Sequence, residues 1–244
     1  MKKLIALLVA LMMMGTAAAM ADTLTMGTNA SFPPYEYYED NVIVGIDAEI
    51  AAAIAEKLGM ELEIVDMDFG AIIPSVTEGK IDFGMAGMTV TEERLQSVNF
   101  SETYAVGIQA IIVKEDSEIT SYEDLAAEGA TWKIGVQDAT TGDIYCTDEF
   151  GEERVSKYKV GADAVEALKT GKVDCVIIDN EPAKAYVAAN EGLKILDSAY
   201  AEEEYAICVN LENTELLDKI NAALTELIEE GKVDEILAKY IPAE

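Results

Sequence analysis

ELEIVDMDFGAIIPSVTEGKIDFGMAGM, residues 61–88, reads as strand, helix, strand. ELEIVDM has strand composition, AIIPSVTEG forms a short helical pattern closed by Gly79, and KIDFGMAGM is a second strand-like run. The end of this unit, EGKIDFGMAG at 78–87, is echoed by TGKVDCVIID at 170–179. In each a helix ends in Gly-Lys and a strand begins with Asp close behind. Gly79 and Gly171 stand 92 positions apart, which points to two lobes of similar βαβ plan. GKVD recurs at 231–234 before a helix, so the echo takes its force from the strand-helix-strand context around it.

The same alternation continues in both directions. Upstream lie a short strand, LTMG at 24–27, and a turn-rich aromatic segment, TNASFPPYEYYED at 28–40. Then comes a helix, IDAEIAAAIAEKLG at 46–59, in which Ile46, Ile50, Ile54 and Leu58 recur every fourth residue. Asp47 and Glu49 occupy its first turn and Gly59 ends it. Downstream run GIQAIIVK, the polar helix SYEDLAAEG, KIGVQ, DAVEALKTG, KVDCVIID and YAICVN, then two amphipathic helices, TELLDKINAALTELIEEG and VDEILAKYI. Strands alternating with helices of this length predict an α/β fold with mainly parallel sheets.

Composition narrows the function. The 244 residues carry 47 acids against 17 basic groups, a formal charge of -30, and no histidine. Such a charge opposes binding to nucleic acid, which rests on cations neutralising phosphates, and to an anionic membrane surface. Without histidine there is no Ser-His-Asp or Cys-His pair, no HExxH zinc site and no imidazole base. A hydrophobic share of 50% is too high for a disordered acidic chain.

Residues 1–21 read as an export signal. Lys2 and Lys3 precede an unbroken apolar run from Leu4 to Met14, and the small residues Ala17–Ala21 offer a cleavage site before Asp22. An uncleaved anchor is the alternative, since the apolar stretch nears the roughly 17 residues that can span a bilayer. Cleavage removes two lysines and no acid, taking the charge from -30 to -32. No cysteine stands near that point to take a lipid, so the expected location is periplasmic or secreted. Cys146, Cys175 and Cys208 cannot all pair internally. Cys175 and Cys208 sit in strand-like runs as small buried hydrophobes, while a disulfide from Cys146 to either stays open.

In parallel α/β sheets ligands bind at the carboxyl ends of strands. Those ends bring together Asn29 to Phe32, Asp68 and Phe69, Gly87 to Thr89, Thr140 to Gly142, and Asp179. Arg94, one of two arginines in the chain, follows the third. Arginine holds a carboxylate bidentately, a helix start at Thr141 offers free N–H groups, Asp179 can accept from an ammonium, and two phenylalanines suit an apolar body. That set describes an α-amino acid. Each piece has an ordinary role too: a solvated arginine, an N-cap aspartate before Pro182, core phenylalanines.

At these residues the chain resembles the extracellular solute-binding proteins of family 3, which deliver amino acids to ABC importers. The resemblance runs from about residue 23 to the C-terminus. It is carried by GIDAEIAAAIAEKLG, TNASFPPYEY, MDFGAIIPSVTEGKIDFGMAGMTVTEERLQSVNFSETY, GVQDATTG and VDCVIID. It implies a periplasmic binding protein-like II fold of two α/β lobes, 22–105 plus 207–244 and 106–206, joined by hinge strands near Tyr104–Gly107 and Glu204–Ile207. It also implies that Arg94, Thr89 and the Thr141 backbone grip the ligand carboxylate. Asp179, the Gly87 carbonyl and Thr89 would hold the ammonium, and Phe32 and Phe69 would sandwich the side chain. Asn29 stands where many members have an acid, Gln137 where a glutamine binder has lysine, and Ile178 where it has histidine. These departures favour a polar or neutral L-amino acid, with Met88 as a soft wall. The expected partners are a free amino acid and membrane permease subunits. No cofactor, metal or catalytic residue is expected, and the chain should be a monomer. The rivals are a same-fold enzyme resembling cyclohexadienyl dehydratase, with Glu181 as its acid, and a ligand sensor acting through another protein.

Overall fold

Strand β1 (Thr23–Thr28) leads to β2 (Ser31–Phe32), β3 (Glu36–Glu39), β4 (Val42–Val44), helix α1 (Ile46–Leu58), β5 (Glu61–Asp66), α2 (Phe69–Thr77) and β6 (Phe83–Gly84) in the computed structural model. A single 3-10 turn at Arg94–Gln96 precedes β7 (Val98–Phe100), β8 (Ala105–Lys114), α3 (Tyr122–Ala126), β9 (Ile134–Gln137), α4 (Thr141–Phe150) and β10 (Val155–Tyr158). Then follow α5 (Gly161–Lys169), β11 (Cys175–Asp179), α6 (Asn180–Ala189), β12 (Leu193–Ile195), β13 (Ala201–Tyr205), β14 (Cys208–Asn210), α7 (Thr214–Glu229) and α8 (Lys232–Tyr240). The structure describes residues 22–197 and 200–241. The expected export signal lies outside the described residues.

Two sheets organise these elements. The first has the order β5-β1-β6-β14-β7 and the second β10-β9-β11-β8-β12, with β13 also paired to β8. Each carries a parallel strip, β5-β1-β6 and β10-β9-β11, extended by antiparallel strands. This is the two-lobe α/β plan, with mixed sheets. The echo at 78–87 and 170–179 corresponds to β6 and β11, each the last strand of a parallel strip.

The chain crosses between the sheets twice. It leaves the first after β7 to enter β8, and returns from β13 to β14. These crossings run side by side: β8 and β13 pair antiparallel from Ala105↔Tyr205 to Gln109↔Ala201. Tyr104 N–H donates to Tyr205 O at 3.0 Å and Ala206 N–H to Met88 O at 3.1 Å. Helices α7 and α8 then pack on α1, which returns the chain to the first lobe.

Helix α1 illustrates how the sequence pattern becomes core. Ile46, Ile50 and Ile54 are fully buried, and burying each such side chain stabilises by about 1.5–3 kcal/mol. The helix ends at Gly59 in the left-handed region, φ 67°, whose N–H caps the last carbonyls. It starts at Gly45 with φ 127°, where an added Cβ would lie 2.2 Å from the Tyr35 carbonyl oxygen.

The aromatic segment expected to be turns contains β2 and β3, which with β4 form a small antiparallel sheet of their own. KIDFGMAGM contributes only Phe83–Gly84 to the ladder, because the following residues leave it for the inter-lobe cleft. Cys146, Cys175 and Cys208 are buried free thiols, so no disulfide joins Cys146 to either partner.

Gly45→Ala should lower stability by at least about 2 kcal/mol, through the backbone clash and the strained φ. A thermal melt should record a loss of roughly 4–8 °C. An unchanged melting temperature would contradict this account of the α1 start.

Candidate functional site

Between the two sheets lies a narrow cleft lined by Asn29, Phe32, Glu36, Phe69, Ala86, Gly87, Thr89, Arg94, Gln137, Thr140, Thr141 and Asp179. Nine of the ten residues singled out in the sequence are therefore neighbours here. Met88 is the exception. Its side chain is fully buried in the cluster of Phe69, Ile72, Val76, Val98 and Cys208 and turns away from the cleft, so it acts as core filler.

Arg94 is held by both lobes. Its Nη1 donates to Thr89 O at 2.8 Å and its Nη2 to Ala139 O at 3.1 Å, and its guanidinium carbon lies 5.3 Å from the centre of the Phe69 ring. Ala139 has φ 65°, an unusual conformation for alanine, stabilised by its N–H donating to Asp143 Oδ2 at 3.0 Å. That turn aims the carbonyl at Arg94 and starts α4 behind it. Thr140 is the N-cap and accepts from Asp143 N–H. The Thr141 end of the helix, with its unpaired amides, forms the cleft wall.

Asp179 ends β11 and sits at the N-cap position of α6, yet its side chain makes no cap. Instead Gln109 Nε2 donates to its Oδ2 at 2.9 Å and the Tyr205 hydroxyl to its Oδ1. Tyr205 reaches this position over Gly107, where a Cβ would lie 2.1 Å from its hydroxyl oxygen.

The rest of the cleft wall includes amides and an acid. Gln137 Nε2 donates to Asn29 Oδ1 at 2.9 Å across the lobes, and Asn29 Nδ2 donates to Met67 O at 2.9 Å. Gln137 Oε1 and both oxygens of the fully buried Glu36 have no hydrogen-bond partner. Glu36, Gln109 and Glu203 were not found from the sequence. Glu181, the enzyme candidate, pairs with Lys184 at 3.0 Å and does not line the cleft.

The sequence pattern of the bacterial extracellular solute-binding proteins, family 3, matches residues 24–243. The arginine-binding extracellular protein ArtP of Bacillus subtilis is 33% identical over 224 residues, covering 91% of this chain and 87% of that one. A solved ancestral arginine-binding protein bound to glutamine superposes with TM-score 0.85 at 42% identity, over 92% of this chain and all of that one. The arginine-, lysine-, histidine-binding protein ArtJ of Geobacillus stearothermophilus also superposes at 0.85, with 33% identity over 91% of this chain and 96% of its own.

Four carboxyls, those of Glu36, Asp47, Asp179 and Glu203, are buried at the site with one guanidinium. Asp47 accepts from Gly87 N–H at 2.8 Å and from the Tyr104 hydroxyl at 2.9 Å, which partly offset its burial. Burial still raises it to about 6. Burial, then the negative charge of Glu203, pushes Asp179 up to about 8. Glu36 is raised well above the carboxylate range by burial and then by the Asp47 charge. Burial lowers the Arg94 value, though a guanidinium stays charged at neutral pH.

These shifts fix the sign of a stability change. Raised folded values mean that the native chain binds more protons than the unfolded one between about pH 4 and pH 8, so stability falls as pH rises through that window. The ligand-free protein should melt at least about 4 °C lower at pH 8 than at pH 5.5. A flat or rising melting temperature would show that these acids are ionised without cost.

Proposed function

Because the chain belongs to the bacterial extracellular solute-binding proteins, family 3, we propose that it captures a free L-amino acid between its lobes for an ABC importer. We further propose that the preferred ligand is cationic, with arginine first. The carrying observation is that the cleft wall holds Gln137 Oε1, an acceptor without a partner, and the buried carboxyl of Glu36, which faces that of Asp47 with no cation between them. A guanidinium has five N–H donors and no acceptor, so it fits such a wall. The arginine-binding relatives support the same choice. Asn29 weakens the case for a cation by removing a counter-charge; Glu36, held protonated in the empty cleft, supplies one within the same cavity by losing its proton as the cation docks.

A second reading keeps glutamine as ligand. The Asn29–Gln137 amide pair favours it, as does the ancestral relative bound to glutamine. A carboxamide would use its NH2 group on these acceptors, leaving its own oxygen to find a donor.

In this reading the lobes are residues 22–105 plus 207–244 and 106–206, with the paired β8 and β13 as hinge. Arg94 and Thr89 from the first lobe and the Thr141 amides from the second take the ligand carboxylate, while Asp179 takes the ammonium and Phe32 and Phe69 flank the side chain. A ligand touching both lobes binds the closed form better, and that difference drives closure. The importer's membrane subunits then recognise the closed shape. The protein acts as an exported monomer that returns its ligand unchanged, with no catalytic residue and no cofactor.

Titration calorimetry on residues 22–244 with L-arginine, L-lysine and L-glutamine tests the reading. Arginine should bind most tightly. Arg94→Ala or Asp179→Ala should cost about 3–5 kcal/mol, since each leaves a buried ligand charge unpaired. Glu36→Gln should weaken arginine at least about tenfold and leave glutamine unchanged or tighter. Tighter binding of glutamine by the wild type would select the second reading, and binding of none would overturn both.

A further inference from the structure

Behind the Asp179 wall lies a second acid. Glu203, on β13, is buried, and its Oε2 accepts from Thr89 Oγ1 at 3.0 Å and from Gln109 Nε2 at 3.1 Å. The same Gln109 Nε2 donates to Asp179 Oδ2 at 2.9 Å, so one neutral amide bridges two buried carboxyls. Glu203 Oε1 has no partner. The ionisable groups facing this pair are Tyr35 and Glu36 from the aromatic segment, Arg94 from the 3-10 turn, Tyr145 from α4 and Tyr205 from β13 itself. Only Arg94 among them is positive, and its Nη1 and Nη2 groups donate to the Thr89 and Ala139 carbonyls. Two carboxylates sharing one donor in a dry site repel each other strongly enough that one keeps its proton.

We propose that Glu203 is a positioning residue of the ammonium site, forming with Asp179 and Gln109 an acid pair that holds one proton in the empty cleft and releases it when the ligand's ammonium docks. The proton leaves the Asp179 carboxyl for solvent. The ammonium keeps all three of its hydrogens and donates one to the oxygen just vacated, so a cation replaces a cation and the buried charge is unchanged. The chain from Thr89 through Glu203 and Gln109 to Asp179 also links the carboxylate end of the site to its ammonium end through both hinge strands. The inference rests on Asp179 being the ammonium partner. It explains why an acid raised to about 8 stands at a cation site. Well below pH 8 the exchange of one proton makes affinity rise about tenfold per pH unit, and the rise flattens as pH approaches the Asp179 value of about 8.

Calorimetry with L-arginine at pH 7, in phosphate and in Tris, counts the protons released. The wild type should release at least one. Glu203→Gln, which leaves the amide bridge and removes the repelling charge, should bind with about one proton fewer and a correspondingly shallower pH profile. Glu36→Gln, titrated at higher ligand concentration, should still release about one, which separates this pair from Glu36. No release by the wild type overturns the proposal. So does an unchanged count in a Glu203→Gln protein whose circular dichroism is native, or a count of zero in Glu36→Gln. If Glu203→Gln does not fold, the wild type and Glu36→Gln decide by the same criteria. Failure of every amino acid to bind at any pH would instead strike the ligand reading on which this rests.

Discussion

A guanidinium ion taken out of water must be surrounded by fixed partners, and Arg94 draws them from both halves of the molecule. One carbonyl comes from Thr89 on the first sheet's side of the hinge, another from Ala139 beyond the second, and Phe69 supplies a ring face. Removing such an ion from water costs several kcal/mol. The remainder of the site can be seen as the means by which that cost is met: a strained turn at Ala139, the start of α4, and acids close enough for their field to be felt. In the proposed reading, a ligand carboxylate completes a shell that these carbonyls and the ring face leave without a counter-ion.

The hinge carries the opposite kind of chemistry. β8 and β13 form an ordinary antiparallel ladder, yet they bury polar side chains along its whole length, Gln109 at one end, Glu203 in the middle and Tyr205 at the other end. A ladder is stiff along its strands and yields to twist at its ends, where few backbone bonds remain. In the proposed reading, the hydrogen bonds from Gln109 and Tyr205 to Asp179 tie this ladder to the ammonium site, so that binding and bending would act on the same few atoms.

Much of this was legible beforehand. The four-residue spacing of Ile46, Ile50 and Ile54, the repeated Gly-Lys and Asp, and the strand end at Asp179 follow local rules that tertiary contacts did not override, while Thr89 and Thr141 stand in the segments that follow β6 and β9. Glu36 was not legible, because it stands among the exposed acids Glu39 and Asp40 and nothing local distinguishes an inward carboxylate. The run AEEEY hid Glu203 for the same reason. Had 201–205 been seen as a strand, its period of two would have placed Glu203 on the same face as the buried Tyr205. Gln109, inside an apolar strand, shows only in the folded state that its amide joins two acids. The small β2-β3-β4 sheet does not show in the sequence because its strands are only two to four residues long and the turn signal of Pro33 and Pro34 between β2 and β3 dominates the segment. Met88 was misplaced because the sequence carries no sign of which side of the cleft wall it faces.

The three thiols add a property unrelated to ligand capture. Burial pushes those of Cys146 and Cys208 up to about 12, and Cys175 is raised further by the same cause. A thiolate is the reactive form, so in the native state all three are chemically silent at neutral pH. Cys208 belongs to the first sheet, while Cys146 and Cys175 pack in the core of the second. A thiol reagent therefore acts as a clock with separate hands for each lobe. Modification of Cys208 times the opening of one half of the molecule, and modification of the other two times the opening of its counterpart.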